Sequence, residues 1–184
     1  MKKSLSKFIA IAGLMLTFNL WLSAQDGKVS NKVFYSELGG PGLIMSANFD
    51  SRFTSNDRLG LGFRLGVGFA YADFEDGQRN QWGYYEYVTR TYYSIPAGLN
   101  YVFGKPQSSH TFEVGAGVSI LTRKVALFYY SGNGKPGNAI GFITFMYRLM
   151  PVNGGFSFRV GLTPIIGTGG DLFPMGSVGF GYVF

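Results

Sequence analysis

The stretch that decides the fold is Arg58-Leu-Gly-Leu-Gly-Phe-Arg-Leu-Gly-Val-Gly-Phe-Ala-Tyr-Ala72. Its odd-numbered positions, from Leu59 to Tyr71, are all large and apolar. Its even-numbered positions from Gly60 to Ala72 are glycine or alanine, except for Arg64. Successive side chains of a strand point to opposite faces, so this pattern predicts a β-strand with one bulky apolar face and one small face.

The small face of this strand is the unusual one. A water-soluble sheet turns its bulky face inward and shows polar groups to solvent, but glycine and alanine neither suit a solvated surface nor fill a core. A small closed barrel in lipid reconciles the two faces, because bulky residues then face acyl chains and small residues face a narrow interior. The stretch therefore predicts a membrane-spanning barrel strand.

The same alternation recurs along the chain and predicts an all-β fold, an eight-stranded antiparallel transmembrane β-barrel. Pro96 falls inside the fourth strand, where it removes a backbone donor, so we expect a bulge or a weak point there. The predicted strands are residues 32–38, 43–53, 58–72, 90–103, 110–121, 139–150, 155–166 and 173–184.

The connections between these strands alternate in length. Tight turns are predicted at 39–42, 54–57, 104–109 and 151–154, a short loop at 167–172, and long loops at 73–89 and 122–138. Pro41-Gly42 suits the centre of a type II turn. Alternating short periplasmic turns and long outer loops are typical of outer-membrane barrels, which places the chain end and the turns at 54–57, 104–109 and 151–154 on the periplasmic side.

The two long loops are rich in aromatic residues. Such residues form girdles at the lipid headgroups, or they contact a ligand or partner outside the cell. The sequence leaves both readings open. These loop aromatics are Trp82, Tyr84, Tyr85, Tyr87, Phe128, Tyr129 and Tyr130.

Residues 1–24 are predicted to be a cleaved secretory signal peptide, leaving one barrel domain at 25–184. Lys2, Lys3 and Lys7 precede an apolar run over 8–22, and Ala24 precedes the expected cut. The alternative is an uncleaved anchor. Cleavage removes three lysines and lowers the formal charge from +6 to +3, so little favours nucleic-acid binding. The chain has no cysteine, which excludes disulfides and thiolate metal sites.

The signal peptide, the alternating strands and the last segment, Gly179-Phe-Gly-Tyr-Val-Phe184, resemble those of small outer-membrane β-barrel proteins of the OmpA-transmembrane and OmpX-like kind. The resemblance covers residues 32–184. It implies residence in the outer membrane of a Gram-negative-type cell, after export through the periplasm. It also implies that Phe180, Tyr182 and Phe184 form the signal read by the outer-membrane barrel assembly machinery.

Seven charged residues fall on the predicted inward faces. In a narrow interior they must pair, because an unpaired buried charge costs several kcal/mol. They predict either a salt-bridged plug or a polar path, or gate, for small solutes. These residues are Glu37, Asp50, Arg52, Arg64, Glu113, Arg148 and Arg159.

No catalytic residue, cofactor or metal ligand is expected, so we do not expect an enzyme. Barrel enzymes that modify lipids use a histidine at the outer surface, as the resemblance implies, but His110, the single histidine, lies beside the predicted periplasmic turn at 104–109. The expected role is structural, or an interaction with an extracellular ligand or cell-surface partner through the long loops. The alternative is a narrow, porin-like channel. A lipid-modifying enzyme ranks third.

Overall fold

The computed structural model describes residues 30–79, 85–125 and 137–184, so the predicted signal peptide at 1–24 lies outside the described residues. A single-turn 3-10 helix spans Gly40–Gly42. The strands are β1 (Lys32–Gly39), β2 (Met45–Arg52), β3 (Gly60–Arg79), β4 (Tyr85–Gly104), β5 (His110–Val125), β6 (Gly137–Leu149), β7 (Gly155–Leu162), β8 (Ile165–Ile166), β9 (Leu172–Phe173) and β10 (Gly176–Val183).

The sheet closes on itself. The hydrogen-bonded order is β5-β4-β3-β2-β1-β10-β7-β6, and β5 also pairs with β6, so the eight long strands form a ring. Every pairing is antiparallel. The short strands β8 and β9 pair with each other, and β8 also pairs with β6. The predicted fold class, an eight-stranded antiparallel β-barrel, is therefore confirmed.

The two faces of the wall follow the predicted alternation. On β3, Leu61, Leu65 and Val67 point outward and are half-exposed or more, whereas Arg64 and Ala70 are buried inside. The same division holds along β4 and β5. No helix within the described ranges is long and apolar enough to cross a membrane.

The predicted long loop at 73–89 is mostly strand, which corrects the sequence prediction. β3 continues to Arg79 and β4 begins at Tyr85, with Asp73 opposite Thr89 and one register shift between Glu75 and Arg79. The alternation of large and small residues does not continue into these segments, whereas the backbone ladder does. The Tyr- and Thr-rich segment that forms the start of β4 has high β-propensity, which was the available signal.

The second long loop is shorter than predicted for the same reason. β5 continues to Val125 and β6 begins at Gly137, so 122–125 and 137–138 belong to strands. We call the end of the barrel that bears these extended hairpins the loop end. The chain-terminal end is the opposite one, where Lys32 and Phe184 exchange two backbone hydrogen bonds of 3.1 and 2.9 Å.

The connection at 39–42 is not a type II turn at the rim. It folds into the mouth of the barrel, and Gly40, Pro41 and Gly42 are all buried. The Ser119 hydroxyl donates to the Pro41 carbonyl at 2.7 Å, and the Ser94 hydroxyl donates to the Gly42 carbonyl at 3.2 Å. Gly39 and Gly40 have φ values of 73° and 68°, which reverse the chain inward and which glycine adopts without strain.

Leu43 is a second correction at this turn. The period of two along the predicted strand 43–53 puts Leu43 on the face of Met45, Ala47 and Phe49, but it is buried inside the barrel at 5% exposure and has a φ of 74°. Positive φ is uncommon for a branched residue and is held in place by the surrounding structure. Here the Leu43 side chain is held by the apolar interior at the loop end of the barrel.

Pro96 gives one of the two outcomes expected there. The ladder between β3 and β4 is interrupted between Gly68–Ser94 and Leu65–Ala97, but the register on its two sides is the same. Pro96 is therefore a weak point without a bulge. Two predicted strands do divide, at Pro164 between β7 and β8 and at Pro174 between β9 and β10.

The interior is filled asymmetrically. Glycines on β4 and β5 leave space that large side chains of β6 occupy, since a Cβ at Gly98 would lie 3.0 Å from the Phe142 ring. A Cβ at Gly115 would lie 2.7 Å from Thr144 Oγ1 and 2.8 Å from the Leu99 carbonyl oxygen. The small face of the wall is thus required by side chains that lean over it from the neighbouring strand β6.

We expect Gly115→Val to destabilise the barrel by about 1–3 kcal/mol, the usual range for overpacking, because the new side chain collides with Thr144 and the backbone of β4. Ala116→Val is the matched control, since Ala116 faces outward on the same strand. Both variants are compared by equilibrium denaturant unfolding of the refolded protein in detergent. Equal unfolding midpoints would contradict the inferred packing.

Candidate functional site

The most distinctive chemistry lies in the interior of the barrel, hereafter the lumen. The structure places all seven predicted charges there, each at 5% exposure or less. They form one continuous chain of ion pairs with alternating sign, in the order Arg52, Asp50, Arg148, Glu113, Arg159, Glu37 and Arg64.

The first half of this chain is centred on Asp50. Arg52 Nη2 lies 2.5 Å from Asp50 Oδ1, and Arg148 Nη2 lies 3.4 Å from the same oxygen. Arg52 also donates to the Gly60 carbonyl at 2.9 Å and to Asn100 Oδ1 at 2.7 Å, while the Asn100 amide donates to Asp50. The Arg52 guanidinium is therefore held by three different groups.

Glu113 joins the two halves. Its Oε2 accepts from Arg148 Nη1 at 2.7 Å, and its Oε1 accepts from Arg159 Nη2 at 2.9 Å. Thr144 donates a longer hydrogen bond of 3.4 Å to Oε1. Since Arg148 and Arg159 stand opposite each other on β6 and β7, this carboxylate separates two guanidinium groups that would otherwise repel.

The second half is centred on Glu37. Its Oε2 accepts from Arg64 Nη2 at 2.6 Å, and its Oε1 lies 3.5 Å from Arg159 Nε. Glu37 and Arg159 both neighbour Gly179 on β10. A Cβ at Gly179 would lie 2.8 Å from Arg159 Cγ, so the glycine lets the arginine side chain lie across β10 toward Glu37.

The lumen above and below the ion chain is apolar. At the loop end, Leu43 from the inward turn joins a buried cluster. At the chain-terminal end, Val33, Tyr35, Met150 and Val183 form a second cluster. The members of the loop-end cluster are Leu43, Ala70, Tyr92, Leu121, Ile140, Phe142 and Ile165, with Met175 packed against them. Layers of apolar, charged and apolar side chains therefore fill the lumen along its length.

Arg58 is a buried residue that the sequence did not assign to the lumen. It lies in the turn between β2 and β3 at 4% exposure and donates to three backbone carbonyls at the chain-terminal end. The acceptors are Pro106 at 3.0 Å, Ser108 at 2.9 Å, and Met150. Arg58 thus ties three turns of that rim together.

His110 lies at the chain-terminal rim, beside the turn at 105–109. It is exposed, and its Nδ1 is 2.5 Å from the Tyr147 hydroxyl oxygen. Among the described residues, no group of three or more His, Cys, Asp or Glu side chains is arranged to hold a metal ion. Within the described residues, His110 thus contacts Tyr147 at the rim and lies apart from the buried carboxylates.

The predicted surface aromatics are mostly outside the described residues: Trp82, Tyr84, Phe128, Tyr129 and Tyr130. Tyr85 and Tyr87 belong to strand β4 and not to a loop, which corrects their assignment. Of the predicted assembly-signal residues, Phe180 is 50% exposed and stacks near Phe158, with ring centroids 5.3 Å apart. Tyr182 and Phe184 are half-buried on the same outward face.

Tyr35 and Phe142 are further lumen residues that the sequence reasoning missed. Both are buried, at 1% and 2% exposure, and both contact Arg64: its Cζ lies 5.6 Å from the Tyr35 ring centroid and 5.7 Å from that of Phe142. Tyr35 shares the period-two phase of Glu37, and Phe142 that of Arg148. Extending each inward face by that period would have found them.

The sequence matches no protein-family model and no curated protein. Among solved structures, the chain is similar to the crystal structure of the N-terminal β-barrel domain of Pseudomonas aeruginosa OprF. The match has 15% sequence identity and a TM-score of 0.45, and it covers 85% of this chain and 99% of that domain. The fold assignment rests on the strand pairing of this chain itself.

We expect Glu113→Gln to destabilise the barrel by about 3–5 kcal/mol, because the amide keeps the shape of the carboxylate but leaves Arg148 and Arg159 without their shared negative partner. The control is Asp57→Asn, which removes an exposed carboxylate in a turn. The measurement is the midpoint of denaturant unfolding in detergent. If both variants shift the midpoint equally little, the lumen pairs contribute no net stability.

Proposed function

We propose that the chain is an integral outer-membrane β-barrel with a closed lumen, and that it has a structural or surface-interaction role rather than an enzymatic one. The single observation that carries this proposal is the inverted distribution of side chains. Val67 is 64% exposed and Phe156 58%, whereas Glu113 and Arg148 are each at 1%. A surface of this kind suits lipid and would make a protein in water associate.

The outward face has the lateral organisation expected of a lipid-facing wall. Aliphatic residues such as Leu65, Leu99 and Val118 are half-exposed on neighbouring strands. Nearer the chain-terminal end lie Phe103, Phe112 and Tyr147. The Phe112 ring centroid is 6.0 Å from that of Phe103 and 5.8 Å from that of Tyr147. Aromatic side chains at the edge of an apolar band suit the headgroup region. The proposed partners are therefore the lipids of the outer membrane and, during insertion, the barrel assembly machinery.

The extended hairpins give the proposed interaction role its location. β3 continues to Arg79 and β4 begins at Tyr85, so both strands extend beyond the membrane strands that the sequence predicts. In the proposed orientation these hairpins project from the cell, toward an extracellular ligand or a cell-surface partner. His110 lies at the opposite rim, which is a reason to rank a lipid-modifying enzyme last.

A narrow channel for small solutes is the second candidate. The continuous row of charged groups from Arg52 to Arg64 favours it, since a polar row across a membrane barrel is a feature that conducting barrels share. Against it stand the apolar cluster around Leu43 and the inward turn at 40–42, which fill the mouth at the loop end.

Membrane orientation is tested with two single-cysteine variants, which the cysteine-free chain allows. Thr168→Cys is exposed at the loop end, and Asn56→Cys is exposed at the chain-terminal end. We expect a membrane-impermeant maleimide to label Thr168→Cys on intact cells and Asn56→Cys only after lysis. Lysed cells provide the control that both thiols are reactive. The reverse pattern would invert the proposed orientation, and recovery in the soluble fraction would refute membrane residence.

The closed lumen is tested by conductance of the refolded barrel in a planar lipid bilayer. We expect no steady single-channel steps, because side chains fill the lumen from the Leu43 cluster to Met150. Folding of the sample is verified by its shifted mobility in an unheated gel. Steady steps from folded protein would favour the channel, and the ion chain would then be its conducting row.

A further inference from the structure

The lumen ion chain carries a surplus positive charge. The ion chain alternates in sign and has an arginine at both ends, so it contains four guanidinium groups and three carboxylates. A buried net charge is costly unless another group neutralises it. The question is therefore where along the chain the surplus resides.

The hydrogen bonds locate it at the Arg64 end. Among the buried side-chain atoms of the described ion chain and its neighbours, those that make no hydrogen bond are Arg64 Nε and Nη1, Arg159 Nε and Nη1, the Tyr35 hydroxyl and Glu37 Oε1; Arg58 Nε, in the turn outside the ion chain, is the other such atom among the described residues. The Arg52 end differs, since that guanidinium is bonded to Asp50, Asn100 and the Gly60 carbonyl. The surplus thus lies with Arg64 and Arg159.

Tyr35 brings these two guanidinium groups together. Arg159 Cζ lies 4.3 Å and Arg64 Cζ 5.6 Å from its ring centroid, so the ring contacts both cations. The ring face attracts the cations, but it leaves their in-plane N–H groups without acceptors. The group also contains one carboxylate oxygen, Glu37 Oε1, which lies 3.5 Å from Arg159 Nε.

We propose that the lumen binds one small monovalent anion, of halide size, between Arg64, Arg159 and Tyr35. Guanidinium groups have donors and no acceptor, so whatever satisfies Arg64 Nε, Arg64 Nη1 and Arg159 Nη1 must accept hydrogen bonds. A water molecule accepts them but leaves the surplus charge in place. A halide ion accepts them, takes a further hydrogen bond from the Tyr35 hydroxyl, and makes the lumen chain neutral. This site is independent of whether the barrel conducts.

The test uses the refolded wild-type barrel in detergent, with chloride as the probe. Chloride is titrated against gluconate at constant ionic strength, and gluconate is too large for the filled lumen. Above the dissociation constant, a tenfold rise in chloride should raise the folded-to-unfolded equilibrium constant about tenfold, because the ion binds the folded state alone. Crystals grown in bromide should show an anomalous peak beside Arg64, Arg159 and Tyr35.

Three variants assign the effect to this site. Tyr35→Phe removes the hydroxyl and should weaken the chloride dependence, and Arg64→Met should abolish it. Arg58→Met is the control: it removes a buried arginine that lies outside the ion chain, so the surplus charge of the ion chain is unchanged and the chloride dependence should be retained. If a variant does not fold, the bromide peak in the wild-type crystal still tests the site.

Two results would overturn the proposal. The first is a wild-type unfolding midpoint that is the same in chloride and in gluconate, which would mean that water satisfies the donors. The second is a chloride dependence that persists unchanged in both Tyr35→Phe and Arg64→Met, with the bromide peak absent or elsewhere, which would make the effect nonspecific.

Discussion

Pairing of charge inside the lumen is the constraint on which the rest of this structure depends. Four arginines and three carboxylates lie where little water can screen them, so each must meet an opposite charge. The strands that carry them are fixed relative to one another by that requirement, from β2 with Asp50 to β7 with Arg159. Apolar burial, which organises a water-soluble core, contributes here mainly at the two ends of the lumen.

The glycine-rich walls are the counterpart of these long side chains. An arginine that lies across a neighbouring strand needs a position without a Cβ there, and Gly179 beside Arg159 shows this directly. Phe142 lies against Gly98 and Gly117 in the same way. The bulky residues of the outward faces cannot be accommodated inside the barrel, because the interior is already full. The two faces of each strand are therefore two results of one packing problem.

Much of this follows from the sequence, because the period of two is strict wherever one face of a strand lines the lumen and the other faces outward. The inward charges, including Arg64 and Glu113, follow from that period alone. The pattern does not mark 73–79 and 85–89, although both segments belong to strands, and it fails at Leu43, where the chain leaves the wall. Which carboxylate meets which arginine is set by the tilt and stagger of eight strands, which no local pattern encodes.

The seam between β1 and β10 shows what the ion chain adds beyond stability. These strands join the two ends of the barrel sequence, with Glu37 opposite Gly179. A slip of one residue there would turn Glu37 to the outside, but a slip of two would keep every side chain on its own face. It would, however, move the carboxylate by about 7 Å along the strand, out of reach of Arg159. The alternation of side chains thus permits every second register of the β1–β10 pairing. The ion pair between Glu37 and Arg159 then favours one of these registers, so the lumen charges determine the register in which the barrel closes.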